Sequence, residues 1–205
     1  GFRPSTEFLA DSGLEMFKGT LLVDSEMRTN DPDIYAAGDC AMVTNRLTGK
    51  RQWSAMGSTA NISGRLAALC LAGTETASYP GVLGTGVAKL PGINMGRTGL
   101  SEKAAREAGY DVETVLTVAD DKAHYYPGAD SFVTKLIADR ATHKLLGIQV
   151  LGAGAVDKMV DIAVTGIAMG AKVEDFDTLD FAYAPPFSSA KDPVNMAGFM
   201  AENIE

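Results

Sequence analysis

The chain has 205 residues, 46% hydrophobic and 21% charged, with 26 acidic against 18 basic side chains and a formal net charge of −8. These proportions are those of an ordinary globular protein and exclude a disordered tail, a collagen-like fibre and a coiled coil. Scattered basic residues in an acidic chain make a poor nucleic-acid binder, and apolar runs such as Leu66–Ala72 fall far short of the roughly 20 residues of a membrane span.

Near the start, Leu21–Asp24 and Ile34–Ala37 read as short strands, separated by a turn that Asp31-Pro32-Asp33 forces because proline fixes φ and restricts the residue before it. Trp53–Ala72 reads as a long helix. Gly57, Ala60, Gly64 and Ala68 recur at spacings of three and four, leaving one nearly bare face for close packing against a strand or a flat ligand. Composition shifts near Ala77–Leu83, and Gly73–Gly81 is the linker candidate because it is small, polar and ends in Pro-Gly. Beyond it, Gly86–Leu90, Val112–Val118, Phe132–Asp139 and Leu145–Leu151 have strand character, the last two joined by a hairpin-length connection. Glu102–Ala108 is predicted as a short helix between the N-cap Ser101 and Gly109. Val156–Met169 is predicted as a helix with Val156, Met159, Val160, Ala163 and Ile167 on one face. Asp192-Pro193 opens a last helix toward Glu205. This order predicts an α+β fold, an antiparallel sheet with helices on one side, after a turn-rich first part.

Gly1 is not a methionine and no signal-peptide pattern follows, so the start reads as an internal boundary. Cys40 and Cys70 form no C-x-x-C pair and are too few for a disulfide framework or a zinc site; a reducing cytoplasm fits them. Two histidines without a second ligand at useful spacing, His124 in a turn and His143 in a hairpin loop, predict no metal site. There is no G-x-S-x-G. Asp120-Asp121 and Asp175/Asp177 read as solvated turn residues.

Three stretches can carry chemistry. At Gly38-Asp39 an apolar strand is expected to end, and ligands sit beyond the carboxyl ends of strands in open α/β sheets. Asp39 either accepts from the hydroxyls of a sugar or ribityl chain or caps the next segment. Gly152-Ala-Gly154-Ala-Val-Asp157 follows a strand and precedes a helix, the context of a dinucleotide fingerprint. Asp157 stands at the third glycine position, however, where a carboxylate repels a pyrophosphate, and the stretch reads as a tight turn. Phe181–Pro193 is stiffened by Pro185-Pro186 and holds Tyr183, Phe187 and Lys191. It is either a loop presenting a phenol and an ammonium or one merely packed on the domain.

Together, Gly1-Phe-Arg-Pro4, Arg28–Asp39 and Ser58–Arg65 resemble the latter half of the FAD-dependent pyridine nucleotide-disulfide oxidoreductases. Gly81–Thr85, Arg97-Thr-Gly99-Leu and Tyr183–Asn195 resemble the dimerisation domain of that family, most closely its coenzyme A-disulfide reductase and NADH oxidase-like branch. The resemblance implies a C-terminal piece: residues 1–78 as the returning segment of a split FAD-binding α/β domain, and 79–205 as the dimerisation domain. The Gly-rich FAD fold, the redox cysteine and the NAD(P)H domain are missing, and neither Cys40 nor Cys70 matches the catalytic position. The chain alone is therefore expected to be an inactive dimerisation module without tightly bound FAD.

For the whole protein, the resemblance implies a cytoplasmic homodimer that uses FAD and NAD(P)H to reduce coenzyme A disulfide, a persulfide or a polysulfide, with an NADH oxidase or peroxidase as the alternative. Tyr183-Ala-Pro185-Pro186 stands where glutathione reductase-like relatives carry a His-Pro stretch, which points to the single-cysteine branch and its tyrosine pair. By the same resemblance, Gly38 and Asp39 hold the FAD ribityl chain, and Ala55, Met56 and Gly57 face the flavin. Tyr125 and Tyr183 reach the partner subunit's cysteine. Asn61 and Lys191 lie at the substrate, Lys191 near a coenzyme A phosphate. Asn61-Ile-Ser departs from the family's frequent Asn-Lys-Gln.

Overall fold

The computed structural model describes residues 1–73, 78–195 and 198. It divides into two compact units, Gly1–Val82 and Leu83–Glu205. Of the linker candidate Gly73–Gly81, residues 74–77 lie outside the described residues.

In the first unit, β1 (Met16–Phe17), β2 (Thr20–Leu22), β3 (Ala41–Thr44) and β4 (Arg51–Trp53) form one sheet in that order. β2 and β3 run parallel, and the outer pairs are antiparallel. α1 (Gly57–Leu71) buries Thr59, Ser63, Leu66 and Ala67. Leu66 and Ala67 join Leu21, Val23, Met27, Ala36 and Ala41 in the core.

Two expectations fail here. Ile34–Ala37 is not a strand, since Tyr35 makes only an isolated bridge to Arg28. Thr29 and Asp31 hold the segment as a turn instead: the Ile34 N–H donates to the Asp31 carbonyl at 3.1 Å, and Thr29 Oγ1 donates to the Ile34 carbonyl at 3.0 Å. The Thr29 hydroxyl and the Asp31 carboxylate, which accepts from the Asp33 N–H at 2.9 Å, compete with a ladder for the backbone groups. The predicted helix starts at Gly57 rather than Trp53, because Arg51–Trp53 is taken up pairing with Met42–Thr44 and Met56 is extended at φ −129°.

The second unit is built on an antiparallel sheet of β5 (Gly86–Leu90), β6 (Ile93–Gly99), β7 (Val112–Asp120), β8 (Ser131–Asp139) and β9 (Leu145–Gly152), ordered β5-β6-β9-β8-β7. β6 escaped the sequence reading. Its Ile-Asn-Met-Gly-Arg-Thr-Gly carries few strand formers, and it is held by pairing on both sides. α3 (Val156–Met169) buries the predicted residues Val156, Met159, Val160, Ala163 and Ile167. It covers the sheet face on which Gly96 lies, where a methyl would come within 2.6 Å of Val160.

Gly96 pairs with Val150, and Val150 with Thr134, so Lys135 points to the opposite face. α2 (Glu102–Glu107) is tied there by a 2.7 Å bond from Lys135 Nζ to Glu102, which corrects the expectation that the helices share one side. Ser101 caps α2 by accepting from the Ala104 N–H, and Gly109 follows at φ +93°. Asp192 caps residues 193–195 through the Val194 N–H at 3.0 Å, while residues 196–197 and 199–205 of the predicted last helix lie outside the described residues.

Candidate functional site

In the first unit the site forms where β3, β4 and α1 meet. Gly38–Cys40 is a 3₁₀ turn leading into β3. Asp39 therefore precedes a strand rather than ending one, because the strand expected at Ile34–Ala37 does not form. Gly38 adopts φ +73°, the left-handed region, and a methyl there would touch Ala60 Cβ at 3.4 Å. Its N–H donates to Ser63 Oγ at 3.1 Å, and Trp53 Nε1 donates to the Asp39 carbonyl at 2.8 Å. These two bonds fix the turn against α1 and against the strand that leads into it.

Asp39 is exposed in the first turn of this 3₁₀ segment. Ala55, Met56 and Gly57 lead into α1, which packs against this turn through Ala60 and Ser63 and whose first N–H groups meet no capping side chain. Positions Gly57 and Gly64 face open space, so the bare helix face packs closely only where Gly38 meets Ala60. A free helix N-terminus beside an exposed carboxylate suits a ligand with hydroxyls to donate and a ring that takes up negative charge. These residues thus fit the flavin that the family resemblance implies. Asn61 is exposed on the second turn of α1. Trp53 and Ser63, which brace the site, carried no sequence signal beyond membership of the predicted helix.

In the second unit the β7–β8 loop and the Pro185-Pro186 loop bring Tyr125 and Tyr183 together. The Tyr183 phenol is raised above its ordinary value first by its hydrogen bond with Tyr125, then by burial, then by the charge Tyr125 takes on ionising. Tyr125 and Tyr183 are 76% and 49% exposed, so the two phenols lie together at the surface. The Ala123 N–H donates to the Pro185 carbonyl at 3.3 Å and ties the loops together. Ser188, almost fully buried, donates from Oγ to the Ala182 carbonyl at 2.9 Å and sets the turn after Tyr183. His124 Nδ1 lies 2.8 Å from Asp120, and its ring is largely solvated. Lys191 is exposed on the same C-terminal stretch. His143, also about half exposed, sits 3.4 Å from Glu174.

Asp121 departs from the expectation of a solvated residue: its side chain is 7% exposed, bonded to the Asp130 N–H at 2.9 Å and 3.4 Å from Lys122. Asp175 is exposed as expected and accepts from the Lys172 N–H at 2.8 Å. Gly152–Asp157 is the expected tight turn, with Asn94 Nδ2 donating to the Ala153 and Gly154 carbonyls at 3.0 Å each. Among the described residues no group of three or more His, Cys, Asp or Glu could hold a metal, and no helix is long and apolar enough to cross a membrane.

Residues 89–193 match the family model of the pyridine nucleotide-disulphide oxidoreductase dimerisation domain, and residues 1–60 match a second model, pyridine nucleotide-disulphide oxidoreductase. The chain belongs to that family. It is 37% identical over 195 residues to an NAD(P)H sulfur oxidoreductase (CoA-dependent) of Pyrococcus furiosus, covering 95% of this chain and 44% of the relative. Among solved structures it resembles reduced CoADR-RHD of Bacillus anthracis, with a TM-score of 0.94 and 38% identity over 99% of this chain and 37% of that one. It also resembles an NAD-dependent persulfide reductase from A. fulgidus, with a TM-score of 0.93 and 38% identity over 99% of this chain and 38% of that one. The chain thus spans less than half the length of each of these relatives.

Proposed function

We infer that the chain is the C-terminal part of a cytoplasmic, homodimeric, FAD-dependent NAD(P)H oxidoreductase that reduces coenzyme A disulfide, a persulfide or a polysulfide. Residues 1–78 complete the FAD-binding domain, and residues 79–205 form the dimerisation domain. The observation that carries the reading is the pairing of the exposed Tyr125 and Tyr183 phenols on two loops tied together by the Ala123 N–H to Pro185 carbonyl bond.

When bound, FAD relays electrons from NAD(P)H toward the cysteine that attacks the substrate. Asp39 accepts from the ribityl hydroxyls, Gly38 lets the backbone approach, and Ala55, Met56 and Gly57 turn the N-terminal end of α1 toward the ring, where its dipole favours negative charge. Asn61 and Lys191 contact substrate, the Lys191 ammonium at a coenzyme A phosphate. When that cysteine's thiolate attacks, a bond forms between its sulfur and one substrate sulfur, the substrate S–S bond breaks and the departing thiolate takes a proton; the two electrons from NAD(P)H then reduce the mixed disulfide left on the cysteine. Tyr183 supplies that proton, and Tyr125 orients the Tyr183 hydroxyl. The raised Tyr183 phenol keeps this donor protonated throughout neutral pH.

A positioned acid typically contributes about 10²–10⁴-fold. Tyr183→Phe in the full-length dimer is therefore expected to slow disulfide turnover at least about tenfold while leaving flavin reduction by NAD(P)H unchanged, as read by stopped-flow of the two half-reactions. Equal slowing of both steps, or of neither, makes Tyr183 a packing residue. Rapid NADH-dependent oxygen consumption without disulfide turnover would make the protein an oxidase.

A further inference from the structure

The turn Gly152–Asp157 lacks the third glycine of a dinucleotide fingerprint, yet Gly154 is fitted tightly. A methyl on Gly154 would come within 2.5 Å of Asp121 Oδ2 and 2.9 Å of Asp121 Cβ. The glycine is there to admit the Asp121 side chain, which sits against the turn with 7% of its surface exposed. The turn itself is held by the two bonds from Asn94 Nδ2. From that seat Asp121 closes the loop that carries Tyr125. The β7–β8 ladder ends at the Asp120–Ser131 pair. One residue further, the Asp121 N–H donates to the Asp130 carbonyl at 2.8 Å, and Asp121 Oδ1 accepts from the Asp130 N–H at 2.9 Å. The carboxylate thus stands in for the acceptor that another ladder residue would have offered, and residues 122–129 leave the sheet from a clamped base. Ala123, two positions on, makes the bond to the Pro185 carbonyl that joins this loop to the one bearing Tyr183.

We propose that Asp121, seated against Gly154, is a positioning residue that holds the 122–129 loop so that Tyr125 meets the Tyr183 hydroxyl. The relation deepens the functional reading above and rests on it only for its consequence in turnover; the geometric link between Asp121 and the tyrosine pair stands separately. A carboxylate that clamps a loop from 7% exposure, and a glycine that makes room for it, differ from a solvated turn acid. Removing the clamp frees residues 122–129 at their base without touching either phenol.

The test is spectroscopic and uses the full chain, whose six tyrosines ionise with a measurable ultraviolet change. Tyr79, raised by burial, and Tyr183, raised by Tyr125, are both expected to ionise later than an ordinary phenol, and the Tyr183 share of that late absorbance is the part that depends on Tyr125. Tyr125→Phe calibrates its loss, because the main cause of the shift is then gone. Asp121→Ala is expected to bring the Tyr183 component back to the ordinary range as Tyr125→Phe does. Asp121→Asn, whose Oδ1 still accepts from Asp130, is expected to retain it. Gly154→Ala leaves every donor and acceptor in place and only crowds the carboxylate, and it is expected to match Asp121→Ala. If Asp121→Ala does not fold, Gly154→Ala decides the question.

A late Tyr183 component that persists in folded Asp121→Ala or Gly154→Ala overturns the proposal, since a merely structural residue would lower thermal stability without moving it. Loss of the component in Asp121→Asn as well would also overturn it, because the acceptor would then not be what matters. In the full-length protein, misplacing the pair is expected to lower kcat for the disulfide about tenfold or more with KM for NAD(P)H unchanged. Should Tyr183→Phe leave turnover intact while Asp121→Ala still moves the titration, the functional reading fails and the positioning relation survives.

Discussion

Asp192 anchors the stretch that carries Tyr183 and Lys191, and its contribution can be worked from two bonds. The side chain is 2% exposed; Oδ1 accepts from the Val194 N–H at 3.0 Å, and Oδ2 meets Lys158 Nζ on α3 at 3.1 Å. Loss of an N-cap costs about 1 kcal/mol, and loss of a charge-assisted bond about 1.5–3 kcal/mol. Because the Lys158 side chain is 32% exposed, its ammonium can turn to water once the partner is gone, which keeps the second contribution at its lower end. Asp192→Ala is thus expected to destabilise the second unit by about 2–3 kcal/mol. At about 4 °C per kcal/mol for a unit of this size, the midpoint falls by roughly 8–12 °C. Asp192→Asn keeps the capping oxygen and gives up the charge, so it should lose about half as much. Thermal unfolding followed by circular dichroism measures both. A fall under about 3 °C for the alanine variant, or equal falls for the two, would show that the cap and the ion pair do not hold this segment.

Other perturbations read other parts of the chain. Gly38→Ala forces a side chain to φ +73° against Ala60, at a cost of about 1–2 kcal/mol. Flavin bound per chain in the full-length protein should drop, and an unchanged flavin-to-protein absorbance ratio would remove Gly38 from the cofactor site. The Glu102 carboxyl is held below its ordinary 4.5 by hydrogen bonds from Lys135 and then Arg106. A depressed acid stabilises the fold above its unfolded value, and that contribution is lost as pH falls through the folded value. Glu102→Gln should therefore lower stability modestly at neutral pH, where that contribution is present, and flatten the further loss below about pH 4.5; acid unfolding curves that superimpose with wild type would exclude it.

What the sequence could disclose tracks where the decisive contacts lie along the chain. α3 was legible to the residue because a period of 3.6 is written locally and Gly170 ends it in the left-handed conformation. Ser101 and Gly109 bracket α2 for the same reason. β6 was illegible because Gly96 and Gly99 are chosen by what lies across from them, Val160 on α3 and the β9 backbone, and a residue selected by a distant neighbour looks like a loop residue in its own window. Ile34–Ala37 failed the other way: its apolar residues promised a strand, but Thr29 and Asp31 claimed the backbone first.

The site divides along the same line. Asp39 and the tyrosines could be named because a family pattern carries them. The contacts that hold them in place, from Trp53 to the Asp39 carbonyl, from Gly38 to Ser63, and from Asp121 across to Asp130 and Gly154, join residues from 9 to 33 positions apart. Asp121 is the sharpest instance. Beside Asp120 it reads as one half of an acidic turn, and only the backbone of a glycine on another element makes it a buried clamp. Chemistry-bearing residues are thus visible in one dimension, whereas the residues that aim them become visible only when the fold brings their partners into reach.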